Sequence, residues 1–198
     1  LTITDADFGA VQPGQPDFLE RFHVSESWRP ERVAWMHQVH SPTVRWIDDQ
    51  SDEVVVYPEC DGLITDQENL MLITKTADCV PILLWNEADG LVAALHAGWK
   101  GFLAGIIQAF GETCQERAVN PTHFSAFLGP HLRIENFEVQ QDFIDQVPDQ
   151  WQHLLVERDS TFHFDITRGV LEELRGLGIT DIEDCGRDTY TNQAFFSY

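Results

Sequence analysis

The most constraining feature of the sequence is a pair of apolar segments separated by the turn-forming cluster Asn86-Glu-Ala-Asp-Gly90. This pattern predicts an antiparallel β-hairpin. If Trp85 pairs with Gly90, Cys79 stands directly opposite His96, on the same face of the hairpin and with Cβ atoms about 5 Å apart. A slip of one residue would send the two side chains to opposite faces, and the sequence alone leaves the register open. In either register, the thiol and the imidazole lie at the open end of the hairpin.

The hairpin leads through Ala97-Gly-Trp-Lys-Gly101 into an amphipathic segment. Apolar side chains recur every four positions from Phe102 to Cys114, which predicts one long helix over residues 99–117. The first turn of such a helix has free N–H groups and the positive end of the helix dipole, so it favours a phosphate or a carboxylate beside the Cys/His pair. Lys100 lies in that turn, where it either binds the same anion or is simply solvated.

A second pair of histidines, His37 and His40, follows an apolar strand. Alternation along a strand puts the two on opposite faces, so at most one of them points toward His96 and Cys79. With those two residues, His40 would supply two imidazoles and one thiolate, a donor set that suits zinc and leaves a fourth position for water. The structural alternative is a buried cysteine that packs as a small hydrophobe and a histidine at the surface.

Three other positions have both a functional and a structural interpretation. Gly129-Pro-His131 puts an imidazole in a loop after a strand, either near the site or exposed to solvent. Asp78, next to Cys79, either orients an imidazole or caps its loop. Asp61 precedes a glycine, and that pair predicts no more than a turn.

The rest of the chain alternates short strands and helices. Besides the hairpin, the pattern predicts strands at residues 33–36, 43–47, 53–57, 63–65, 70–74, 124–128 and 179–184, and helices at residues 138–146 and 167–175. Asp165 or Thr167 would cap the last helix and Gly176 would end it. We therefore predict one domain over residues 1–198, with a mixed α/β fold in which two packed mixed β-sheets are flanked by helices.

Charge and composition narrow the possible partners. Twelve basic against 33 acidic residues give a net charge of −21, which disfavours nucleic acid and anionic membrane surfaces. No apolar run approaches the roughly 20 residues of a membrane helix, and the first residues lack a basic and apolar leader. The sequence thus predicts a soluble, cytoplasmic protein. The wide spacing of the four cysteines favours reduced thiols or metal ligands over disulfides.

Several motifs, in this order, resemble the YfiH family, whose members are named laccase-domain protein, polyphenol oxidase, peptidoglycan editing factor or purine nucleoside phosphorylase. The motifs are Gln38-Val-His40, Thr76-Ala-Asp-Cys-Val-Pro81, His96-Ala-Gly-Trp-Lys-Gly101, Leu128-Gly-Pro130 and Phe195-Phe-Ser-Tyr198. The resemblance implies two packed sheets similar to the catalytic domain of cytotoxic necrotising factor. It also implies a zinc ion bound by the residues that match the family ligands, His40, Cys79 and His96.

The same resemblance implies an activity. It implies phosphorolysis of adenosine, inosine and methylthioadenosine to a free base and a pentose 1-phosphate, with some adenosine deamination, so the expected partners are a nucleoside and phosphate. On this basis we assign catalysis to Cys79, His96 and Asp78, and substrate or anion binding to Gly98, Lys100, Gln38 and His131.

Two positions depart from the family pattern, which usually has arginine at Lys100 and cysteine at His131. Lysine lacks the planar fork with which arginine binds phosphate. Three alternatives stay open. One is a cysteine hydrolase with Cys79 as nucleophile and His96 as base, acting on an amide such as a peptidoglycan precursor. Another is a copper polyphenol oxidase, for which the predicted ligands are too few. The last is a catalytically degenerate binding protein.

Overall fold

A computed structural model describes residues 30–197 of the chain. The prediction of a single domain over residues 1–198 extends beyond this part and stays a prediction. The strands of the described part are β1 Arg32–Met36, β2 Val44–Ile47, β3 Val54–Tyr57, β4 Gly62–Thr65, β5 Leu70–Ile73, β6 Val80–Asn86, β7 Leu91–Ala97, β8 Ser125–Leu128, β9 Glu138–Val139, β10 Leu155–Arg158, β11 Thr161–Phe164 and β12 Ile182–Asp184. Its α-helices are α1 Trp99–Leu103, α2 Ile106–Glu116, α3 Gln141–Ile144 and α4 Ile166–Gly176, with 3-10 turns at Pro121–His123 and Asp149–Leu154.

The strands form three sheets. The largest has six strands in the order β12-β8-β6-β7-β4-β2 and mixes parallel with antiparallel pairs. A parallel sheet has the order β3-β1-β5, and an antiparallel one has the order β10-β11-β9. The predicted mixed α/β fold with flanking helices is confirmed, but the described residues form three sheets instead of two. Strands β10 and β11 have no counterpart among the elements predicted from the sequence.

The β6–β7 hairpin lies at the centre of the large sheet and carries the main core. On β6, every second residue from Val80 to Asn86 is buried, and their apolar members pack with α2 and α4 around Phe110 and Val170. Asn86 closes the turn, since its side-chain oxygen accepts from the backbone N–H of Asp89 at 3.1 Å. The predicted hairpin is therefore confirmed, and its buried face packs into the main hydrophobic core.

The register of the hairpin, which the sequence left open, differs by two residues from the one in which Trp85 pairs with Gly90. Asn86 pairs with Leu91, so four residues form the loop, and Pro81 stands opposite His96. Side chains alternate with a period of two, and a shift of two residues therefore keeps each side chain on its predicted face. Cys79 and His96 therefore share a face in the observed register as they would in the register with Trp85 opposite Gly90.

Two predicted helices are wrong in extent. The segment at residues 99–117 is broken between α1 and α2, because Gly105 adopts φ 91°, a left-handed conformation that ends the first helix and precedes the second. The segment at residues 138–146 contains β9 and only one short helix, α3. Val139 pairs with Phe162 in the antiparallel sheet, and this non-local pairing overrides the helical pattern.

The last predicted helix is confirmed as α4, and Asp165 caps it by accepting from the backbone N–H of Arg168 at 3.0 Å. The other predicted strands are present, although the one at residues 179–184 begins only at Ile182. No helix within residues 30–197 is long and apolar enough to span a membrane.

Candidate metal centre

Three side chains from distant parts of the chain converge at the open end of the hairpin. One ligand atom each from His40, Cys79 and His96 lies within 4.8 Å of the others. Cys79 Sγ is 3.6 Å from His40 Nε2. The two imidazole rings meet edge to face, with centroids 4.9 Å apart. The convergence expected from the sequence is therefore present.

Each of the three residues is held by a different element. His96 lies near the end of β7 and is 3% exposed. Cys79 immediately precedes β6, and Asp78 before it has a left-handed backbone with φ 77°. The prediction for His40 rested on a wrong premise, because β1 ends at Met36 and alternation no longer applies. A left-handed turn with φ 60° at His40 brings its ring to the site instead.

Gly98 makes room for two of these side chains. A Cβ atom at this position would lie 2.5 Å from Cδ2 of His40 and 2.9 Å from Sγ of Cys79. Gly101, one turn later, packs against the backbone of Ser41, whose carbonyl oxygen would be 3.2 Å from an added Cβ atom. The close approach of α1 to the His40 loop therefore depends on glycine at Gly98 above all.

Asp61 is the functional residue that the sequence analysis missed. Its carboxylate is fully buried and lies 2.8 Å from Nδ1 of His96. It also accepts from the backbone N–H groups of residues 39, 40 and 41 and from the hydroxyl of Ser41. The turn predicted at this position is instead the start of β4, where the pairing of Gly62 with Leu95 puts Asp61 opposite His96. An isolated acidic residue before an apolar run was the only available signal.

Burial sets the protonation of the candidate ligands. His40 is exposed to solvent, but the desolvation of its partly buried ring lowers its pKa; nearby His96 and Lys100 lower the pKa further, whereas Asp61 raises it. The net lowering favours the neutral ring, which is the form that binds a metal. Burial, with the charges of Asp78 and Asp61, raises the pKa of Cys79 to about 11. The metal-free protein therefore holds a thiol at this position, and a bound metal would have to displace its proton.

Asp78 and Gln38 make structural contacts. The hydroxyl of Thr189 donates to Oδ1 of Asp78 at 2.6 Å, and the carbonyl of Asp78 accepts from the N–H of Leu132 at 2.9 Å. The carboxylate in contact with the His96 imidazole is that of Asp61. The amide of Gln38 donates to the carbonyl and accepts from the N–H of Lys75, which ties the His40 loop to the segment after β5.

Lys100 and His131, which were both predicted to bind substrate or an anion, differ in accessibility. Lys100 is exposed in the first turn of α1, with Nζ 5.3 Å from the ring centroid of Trp99. His131 is fully buried, and burial lowers its pKa. Its Nδ1–H donates to the carbonyl of Gly129 at 2.7 Å, while Nε2 accepts from the hydroxyl of Thr167 at 2.8 Å and from Arg133 at 3.0 Å. These contacts argue against the predicted binding of an anion by His131.

The donor set fits a zinc ion. In a tetrahedral site with Zn–N of about 2.1 Å and Zn–S of about 2.3 Å, the nitrogen and sulfur ligands are about 3.6 Å apart. The separation between His40 Nε2 and Cys79 Sγ is 3.6 Å. Asp61 occupies Nδ1 of His96, which leaves Nε2 as the ligand atom. Two imidazoles, one thiolate and an open fourth position are typical of catalytic zinc sites.

Comparison with known proteins adds named relatives. Among curated proteins, a purine nucleoside phosphorylase of Campylobacter jejuni is 30% identical over 170 residues, which are 85% of this chain and 71% of that protein. A purine nucleoside phosphorylase of Streptomyces griseus is 32% identical over 173 residues, which cover 85% of this chain and 69% of that protein.

Solved structures and a family model agree with this relationship. YlmD of Geobacillus stearothermophilus has a TM-score of 0.75 and 26% identity, covering 86% of this chain and 69% of that one. YfiH of Bacillus licheniformis has a TM-score of 0.70 and 25% identity, covering 84% of this chain and 68% of that one. The sequence model described as "Multi-copper polyphenol oxidoreductase laccase" matches residues 18–198. With these motifs, this fold and these relatives, the chain belongs to the YfiH family of laccase-like proteins.

Proposed function

We propose that this protein is a zinc-dependent purine nucleoside phosphorylase that converts adenosine, inosine and methylthioadenosine to the free base and a pentose 1-phosphate. The observation that carries the proposal is the convergence of His40, Cys79 and His96 within 4.8 Å, with His96 fixed by a buried carboxylate. Relatives at 30% and 32% identity that are named purine nucleoside phosphorylases support the substrate class.

In this proposal, the three side chains hold the zinc ion. The ion would supply Lewis-acid chemistry, polarising an oxygen of the substrate or activating a water. Asp61 keeps Nδ1 of His96 protonated, so that Nε2 faces the centre. Gly98 keeps the backbone clear of the two remaining ligands.

Phosphate binding rests mainly on Lys100. Its ammonium group is exposed at the start of α1, and no side chain within residues 30–197 caps the first-turn N–H groups. Because α1 has only five residues, its dipole is weaker than that of the long helix predicted from the sequence. The lysine therefore supplies most of the attraction for phosphate in a chain of net charge −21.

The test is product release by the zinc-loaded protein. With adenosine or inosine, adenine or hypoxanthine should form only when phosphate is present, together with ribose 1-phosphate. Lys100→Ala should raise the KM for phosphate by roughly 10-fold or more, because a charge-assisted contact is lost. Lys75→Ala, which removes the only other lysine of the chain, is the matched control. Base release that is absent, or independent of phosphate, would refute the phosphorylase assignment.

A side activity is the deamination of adenosine, in which an activated water would replace the amino group. The zinc-loaded protein should then release ammonia and form inosine from adenosine without phosphate. The Cys79→Ser variant should lose this activity together with phosphorolysis, since both would depend on the same ion. Ammonia release that persists in metal-free protein would separate the two activities.

The site gives less support to the other enzyme classes. A cysteine nucleophile acts as a thiolate, whereas the pKa of Cys79 is raised to about 11. Oxidation of polyphenols by a multi-copper mechanism needs several metal centres. Within residues 30–197, His40, Cys79 and His96 make the only group of three His, Cys, Asp or Glu side chains spaced to hold an ion. A binding protein without turnover would bind nucleoside but release no base.

A further inference from the structure

We propose that Asp61 is a positioning residue that prepares both imidazoles of the centre, by fixing the proton of His96 and by folding the loop that presents His40. The inference rests on the metal centre of the proposed function and assigns a role to a residue outside the ligand set. Asp61 contacts the metal centre through the ring of His96 and the backbone N–H of His40.

The first role concerns the proton on His96. Asp61 Oδ1 lies 2.8 Å from Nδ1 of His96, and the carbonyl of Asp61 accepts from the backbone N–H of His96 at 2.7 Å. An ionised carboxylate only accepts hydrogen bonds, so the ring must carry its proton on Nδ1. The lone pair of Nε2 is then directed to the centre, and the carboxylate makes that nitrogen more basic.

The second role concerns the loop that carries His40. The same carboxylate accepts from the N–H groups of Val39, His40 and Ser41 at 3.1, 2.9 and 2.8 Å, and from the Ser41 hydroxyl at 3.0 Å. His40 has φ 60°, which is unfavourable for a residue with a side chain. Consecutive N–H groups that converge on one charge hold the chain in this turn.

The two roles depend on one buried charge. Asp61 has no exposed surface, and its carboxylate has five hydrogen bonds within the described residues, three from backbone N–H groups and two from side chains. A carboxylate that accepts from five donors has no proton of its own to donate, so this geometry fits the ionised form. The same charge would offset the positive charge of a divalent ion.

The experiment replaces the charge and measures metal binding in the absence of substrate. Asp61→Asn keeps the size of the side chain but puts an N–H₂ group among donors, which favours a His96 ring with its proton on Nε2. We expect the affinity for Zn²⁺, measured by competition with a chromogenic chelator, to fall roughly 10- to 100-fold. The thiolate absorption of the Co²⁺-loaded protein should change in parallel.

Thr65→Val is the matched control. Thr65 is a buried residue of the same strand, β4, and its hydroxyl donates to the carbonyl of Ile47 at 3.1 Å. This variant loses a buried hydrogen bond, as Asp61→Asn does, and should bind Zn²⁺ within about twofold of the wild type. An equal loss of affinity in both variants would assign Asp61 a general structural role and overturn the inference.

A second measurement needs no variant of Asp61. In the metal-free wild type at neutral pH, the long-range ¹H–¹⁵N spectrum should show His96 with its proton on Nδ1, assigned by the loss of its signals in His96→Gln. A proton on Nε2 would overturn the inference even if Asp61→Asn did not fold.

The outcomes separate this inference from the proposed function. Unchanged Zn²⁺ affinity in Asp61→Asn refutes the positioning role and leaves the phosphorylase proposal standing. A wild type that binds Zn²⁺, shows the affinity loss in the variant, and yet releases no base refutes only the phosphorylase. A wild type that binds neither Zn²⁺ nor Co²⁺ refutes both.

Discussion

The substitution Gly98→Ala tests the steric fit of the centre separately from backbone conformation. Gly98 has φ −72° and ψ 161°, which alanine adopts readily. The added Cβ atom would nevertheless lie 2.5 Å from Cδ2 of His40 and 2.9 Å from Sγ of Cys79. Carbon atoms in favourable contact are about 3.5 to 4.0 Å apart, so the His40 ring must move by about 1 Å.

A movement of this size is large for a metal ligand, since ligand distances vary by only about 0.2 Å. We expect the affinity for Zn²⁺ to fall roughly 10- to 100-fold, as when ligand orientation is lost, and the rate of base release to fall about 100-fold. The metal-free protein should change less. Overpacking costs about 1 to 3 kcal/mol, and the reduced freedom of the unfolded chain offsets about 0.4 to 1 kcal/mol of it.

The assay is chelator competition for Zn²⁺, with thermal unfolding of the metal-free protein measured alongside. Gly176→Ala is the control, because no atom lies within 4 Å of a Cβ built there and that glycine also has an ordinary backbone conformation. It should leave the metal affinity unchanged. Gly98→Ala protein that binds Zn²⁺ as tightly as the wild type would refute the idea that Gly98 makes room for two ligands.

Three other predictions concern stability. The pKa of Asp61 is held low in the folded state, so the contribution of its carboxylate to the free energy of unfolding is complete above the unfolded value of 3.8 and is lost as pH falls toward the folded pKa. When acid unfolding of the metal-free protein is followed by circular dichroism, Asp61→Asn should lose stability less steeply below pH 4 than the wild type. Asp165→Ala should lower the free energy of unfolding, measured in urea, by about 1 kcal/mol, because the helix loses the side chain that caps the N–H of Arg168. Asp165→Asn should keep most of this stability, because asparagine can accept the same hydrogen bond. Thr189→Val should lower the free energy of unfolding by about 1.5 to 3 kcal/mol, since a hydrogen bond to the Asp78 carboxylate is lost. A smaller change in urea denaturation would show that this bond contributes little to stability.

The features that were predicted from the sequence are those that local periodicity determines. The β6–β7 hairpin and α4 follow from apolar patterns and turn or cap residues within about a dozen positions. The break at Gly105 was not predicted, because the apolar stripe continues on both sides of it and a glycine inside a helical pattern is often tolerated. The length of the hairpin loop also depends on packing against β4 and β8, which the hairpin sequence does not contain.

The site was predicted in part for the same reason. His96 and Cys79 lie on one hairpin, so their proximity is a local property, whereas His40 was predicted from strand alternation, which does not apply there, and from the family motifs. Asp61 was missed because its partnership with His96 depends on the non-local pairing of β4 with β7. The surroundings of His131 were also beyond the sequence, since nothing in Gly129-Pro-His131 indicates that α4 supplies Thr167 as a buried partner for its ring.

The hydrogen bond between Thr189 and Asp78 joins residues 111 positions apart. It fastens the stretch around Thr189 to the residue before Cys79, so a segment synthesised much later than the thiol loop completes the support of that loop. A nascent chain would therefore acquire its full metal affinity only after that stretch has emerged and docked.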